Sequence, residues 1–171
     1  MTSIRSEERL NTYSPTVISL FRVIVGLLFT LHGSMTLFAW PLSYPGGAAP
    51  VGEWPGWWSG LIEFITGILV TLGLFTRIAA FIASGEMAVA YFWQHWLFAK
   101  GGPGPFWPFD KQVGGNGGEL AILFCFAFLL LVFTGGGAFA LDARRRGAAA
   151  GLGRRRGAAA GMGRRRFALR R

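Results

Sequence analysis

The sequence predicts an all-α protein: an antiparallel bundle of four transmembrane helices with an arginine-rich tail. Three observations carry that class. Four apolar stretches, 17–38, 57–75, 78–98 and 119–138, each approach the roughly 20 residues that a helix needs to cross a bilayer. The composition, 52% hydrophobic and 15% aromatic, is that of a lipid-embedded chain. The net charge of +9 is also confined: eleven of seventeen basic residues lie from Arg144 onward, leaving six basic against eight acidic before it. A nucleic-acid surface would carry such charge on the folded body, so nucleic acid is not the partner it points to.

Residues 1–14 are polar and read as a cytoplasmic N-terminus, and Pro15 stands where the first helix should begin, a position that tolerates its missing N–H. The first apolar stretch is too long for a cleavable signal, Glu7 and Glu8 interrupt its basic flank, and no small-x-small cleavage pattern follows. The second stretch passes into the third through Gly73-Leu74-Phe75-Thr76-Arg77, a tight turn that makes those helices antiparallel neighbours. The segment before the second stretch holds Pro41, Pro45, Pro50 and Pro55, and that before the fourth holds Pro103, Pro105, Pro108 and seven glycines; both should be irregular. The single cysteine, Cys125, forms no intrachain disulfide and should pack as a small apolar residue. The membrane domain therefore runs over 15–141, followed by a tail over 142–171.

Arg5, Arg9, Arg77 and the tail flank one set of span ends, and short loops rich in arginine stay inside. Both termini should be cytoplasmic, and Trp40, Trp54, Trp57, Trp58, Trp96 and Trp107 then form an aromatic belt at the outer headgroups. The tail repeats every ten residues, with Arg144, Arg145, Arg146, then Arg154, Arg155, Arg156, then Arg164, Arg165, Arg166 on Gly/Ala spacers. Such a polycation suits anionic lipid, at about 1 kcal/mol per arginine near the surface, or an acidic face of a partner subunit.

Ionisable residues inside spans are expensive in lipid and should turn inward. Arg22 and Glu86 lie at comparable depth, each on a small-residue stripe of the kind that lets membrane helices approach, and an ion pair between them is expected. Nearer the outer ends, His32, Glu63, His95 and Glu119 come one from each helix. Three readings of this group stay open. It binds a metal, although the Glu-x-x-His pairs of bundle di-metal sites are absent; it passes protons or holds a quinone head group; or its members satisfy one another and the helix ends, as an acid at the start of the fourth helix does. No metal or cofactor is expected from motifs, and no phosphate loop, catalytic triad or haem attachment sequence is present.

Arg22 and Gly26 followed by Leu31-His32-Gly33, Glu63 with Gly67 and Gly73, and Gly117-Gly118-Glu119 resemble the DoxX family of small bacterial and archaeal four-helix membrane proteins, over about 17–141. The resemblance implies a multi-pass protein of the bacterial inner membrane. It also implies a small partner of membrane redox complexes acting on sulfur compounds, quinones or reactive oxygen. The matching polar positions are Arg22, His32, Glu63 and Glu119. The leading expectation is a non-catalytic accessory subunit of a larger redox or energy-transducing complex. The alternatives are a quinone-linked oxidoreductase component using the outer His/Glu group, and a small transporter.

Overall fold

The computed structural model describes residues 2–99, 104–145 and 147; Arg146, Arg154, Arg155, Arg156, Arg164, Arg165 and Arg166 lie outside the described residues. Among the described residues every regular element is helical: α1 (Thr2–Phe38), α2 (Gly56–Leu72), α3 (Thr76–Ala90) continued by a π-helical segment (Tyr91–Leu97), a 3₁₀ turn (Lys111–Val113) and α4 (Glu119–Thr134). By length and composition α1 suffices to cross a membrane, while α2 and α4 are shorter apolar helices.

Two helix boundaries depart from expectation. α1 begins at Thr2, and Pro15 lies inside it. Proline deletes one backbone hydrogen bond there, and side chains bind neighbouring carbonyls in the same stretch: Thr12 Oγ1 donates to Glu8 O at 3.0 Å and Ser19 Oγ to Pro15 O at 2.9 Å. α4 stops at Thr134, not near 138, because Gly135 and Gly137 take positive φ, which L side chains avoid, and the chain turns back across the bundle end.

α1 packs on α2 through glycines. A Cβ on Gly67 would lie 2.6 Å from Thr30 N, and one on Gly26 2.7 Å from Thr71 N, so only the missing side chains let these backbones approach. α3 meets α4 through Ala79, Ala80 and Ala83, all buried, against Phe124, Phe128 and Leu131. Phe29 of α1 closes the core edge-on to Phe128, with ring centroids 4.6 Å apart. Gly73, at φ 72°, ends α2; its N–H donates to Val70 O and that of Leu74 to Leu69 O, the Schellman closure that makes the expected tight turn into α3.

The outward faces are apolar. Leu27 and Leu28 of α1, Ile65 and Ile68 of α2, Phe81 and Val89 of α3 and Leu123, Phe126, Leu130 and Phe133 of α4 are all exposed. A patch of this extent is far beyond what a monomer keeps in water; it requires lipid or another apolar surface.

Candidate functional site

Polar side chains gather at the two ends of the bundle and are treated differently there. At the end carrying the α2–α3 turn, Arg22 is 2% exposed. Its Nε donates to Gly136 O at 2.8 Å and its Nη1 to Val70 O at 2.6 Å and to Thr71 O. The last carbonyls of a helix have no partner within it, so the guanidinium satisfies the end of α2 and the glycine turn after α4 together. Asp142 completes this latch from the other side: its carboxylate accepts from Phe75 N at 3.0 Å and from Thr76 N and Thr76 Oγ1 at 2.8 and 3.0 Å. A carboxylate at the first N–H groups of α3 is a helix cap supplied from 66 residues away in sequence, favoured by the helix dipole.

The expected pairing of Arg22 with Glu86 is therefore not formed. Three carbonyls surround Arg22, whereas Glu86 Oε2 is buried with no hydrogen-bond partner among the described residues. The reason is local. The ends of α2 and α4 leave unpaired carbonyls within reach of an arginine one helix away, and a planar guanidinium with five donors matches several at once.

Glu86 instead lines a cavity of about 600 Å³ between α2 and α3. α1 contributes Phe29 and His32, α2 Trp58, Ile62 and Glu63, and α4 Leu120 and Phe124. α3 and its π-helical extension contribute Phe81, Gly85, Glu86, Trp93 and His95, and the preceding loop adds Trp54. The wide turn of a π-helix lets the consecutive Trp93, Gln94 and His95 all face this space. Phe81 and Val89, both lining it, are 66% and 60% exposed, so the crevice opens sideways along the helices.

The polar groups of the crevice are anchored unequally. His32 Nδ1 lies 3.2 Å from Tyr44 Oη, and burial, then the charge of Glu63, raise the phenol above its ordinary range. His95 Nδ1 bonds Asn116 O at 3.1 Å. Buried Asn116 ties the loop to the bundle, donating from Nδ2 to Pro105 O at 3.1 Å and accepting Gly118 N–H at 2.7 Å. Glu63, 9% exposed, has no hydrogen bond to any described residue.

Of the four expected outer residues, His32, Glu63 and His95 line the crevice. Glu119 does not: it is exposed in the first turn of α4, where the positive helix end favours it. Among the described residues no three His, Cys, Asp or Glu side chains come together as a metal site would need. Trp54, Trp58 and Trp93 are crevice walls, two of them drawn from the expected belt. Three residues escaped the sequence reading. Asp142 is the one acid beside the arginine run, Asn116 precedes the glycines before α4, and Gly85 sits in the third apolar stretch where an added Cβ would meet nothing within 4 Å. A helical glycine that no packing demands was the available signal for an open face.

At the latch end, Arg144 and Arg145 are exposed, and Arg145 Cζ lies 5.8 Å over the Phe75 ring. Comparison with known proteins gives a family and a relative. The DoxX family model matches residues 17–96. An uncharacterized protein of Haemophilus influenzae is 44% identical over 133 residues, 78% of this chain and 93% of that protein. No solved structure matches. The relative's near-complete coverage and the family match together place this chain in the DoxX family of membrane proteins.

Proposed function

We propose that the chain crosses the bacterial cytoplasmic membrane four times, both termini inside, as a non-catalytic accessory subunit of a membrane redox or energy-transducing complex. In that complex the α2–α3 crevice holds a membrane-dissolved amphipath, of which a quinone is the redox example. The carrying observation is the sideways-open crevice, with carboxylates and imidazoles between aromatic walls. A water-soluble substrate would enter from a bundle end; a molecule partitioned into lipid enters between helices, its body against Phe81 and Val89 and its head near Glu63 and His95. The span count draws support from the exposed apolar faces of all four helices. At 16 or 17 residues, α2 and α4 reach about 24–26 Å, most of a hydrocarbon core. The cytoplasmic assignment of the latch end follows from Arg77, Arg144 and Arg145 there. The arginine run beyond would bind anionic headgroups or an acidic subunit.

Two measurements test this. Purified in mild detergent, the chain should appear by native mass within a larger assembly, and decylubiquinone should quench its tryptophan fluorescence in a saturable way that Gly85→Phe abolishes. A monodisperse free monomer whose quenching ignores Gly85→Phe would overturn the reading.

A further inference from the structure

We infer that the α2–α3 crevice selects an organic cation, an alkyl or aryl ammonium-type molecule whose charge lies between Glu63 and Glu86 and whose body lies against the indoles of Trp54, Trp58 and Trp93. This rests on reading the crevice as a ligand site and adds the chemistry of the head group. The walls bring two carboxylates to one cavity. Arg22, the one arginine within the four apolar stretches, is held by carbonyls at the opposite end of the bundle. Glu63 is nine-tenths buried and without a hydrogen bond among the described residues, and Glu86 Oε2 is buried and equally without a donor. A buried carboxyl without a partner either keeps its proton or meets a positive charge or a donor, and a cation that displaces the proton supplies that partner.

The other titratable groups facing the cavity do not take that place. Each histidine has its Nδ1 engaged by the outer loops, His32 by Tyr44 and His95 by Asn116. Indole faces are the strongest cation–π surfaces among side chains. Trp54 and Trp93 stand edge to face at 6.3 Å, so two indoles at right angles wall the cavity that holds the acids. A neutral amphipath, a quinone included, can fill the crevice but gives these acids no charge to pair with, and an anionic one meets repulsion.

A pair of probes of one shape and opposite charge decides this. Equilibrium dialysis of the full-length protein in dodecyl maltoside, corrected for micelles alone, should show saturable binding of tetraphenylphosphonium and none of tetraphenylborate. The double variant Glu63→Gln, Glu86→Gln, which keeps side-chain shape, should weaken tetraphenylphosphonium at least tenfold. Gly85→Phe, filling the crevice from a position with no neighbouring atoms, should abolish it, with circular dichroism verifying that both variants fold. Equal binding of the two ions, or affinity for the cation untouched by the double variant, would overturn the cation assignment. If the cation assignment fell while decylubiquinone bound in a Gly85→Phe-sensitive way, the crevice would stand as a site for a neutral ligand. If Gly85→Phe changed the binding of neither probe, the site itself would fall.

Discussion

The two ends of the bundle bury ionisable groups on opposite principles. At the latch end Arg22 and Asp142 each meet several backbone partners, and the groups they satisfy are helix ends that would otherwise be unpaired. At the crevice end Glu63 and Glu86 meet none among the described residues, and the space beside them is open. Polar groups of the first kind hold a fold together, whereas those of the second are retained against stability, which is where a function is expected. The difference teaches that burial alone does not mark a site; burial without a partner beside a cavity does.

The contrast can be broken most forcefully at Arg22. Arg22→Met strands the carbonyls of Thr71 and Gly136 and removes the second donor from Val70 O, which keeps the Gly73 N–H; it should destabilise by on the order of 2–5 kcal/mol, two unsatisfied acceptors at about 1–3 kcal/mol each with partial relaxation. Thermal unfolding in detergent reads this as a large drop in midpoint, and a wild-type midpoint would show that the latch is ornamental. Asp142→Ala removes a cap from α3 and should cost about 1–2 kcal/mol, measured the same way, with Asp142→Asn recovering part. At the other end the sign should reverse. Glu63→Gln, which removes a buried acid lacking a protein partner, should leave the stability read from the midpoint unchanged or raise it by up to about 1 kcal/mol; a clear fall would mean that Glu63 belongs to the framework. The smallest effect on the fold should come from ending the chain after residue 147. The melting midpoint should hold while binding to vesicles rich in phosphatidylglycerol falls, and equal vesicle binding would remove lipid as the tail's target.

Much of the helical architecture was legible because apolar runs and their breakers are local signals. Gly73 and the short run to Arg77 announced the α2–α3 turn, and the small-residue stripe of α1 announced a close helix contact, which it makes with α2 and not with the third helix expected to pair with Arg22. His32, Glu63 and His95 were legible as a group because depth along a helix is proportional to position in sequence. Depth does not specify azimuth. Glu119 shares the level of the others but sits at the exposed start of α4, and Arg22 shares the level expected of Glu86 yet turns to α2. Helix limits at Pro15 and after Thr134 were missed for the related reason that termini depend on which distant groups satisfy them.

By itself the sequence determined that the described chain is helical, that its outer faces are apolar, and that an arginine, acids and histidines lie within its apolar stretches. Those properties follow from composition and periodicity along one helix at a time. Only the tertiary structure decided which buried charge meets which partner. Arg22 was claimed by the carbonyls of Val70 and Gly136, and Glu86 was left lining the crevice. Pairing across helices is set by their relative rotation and by the position of orphaned helix ends, and neither is written in any single stretch.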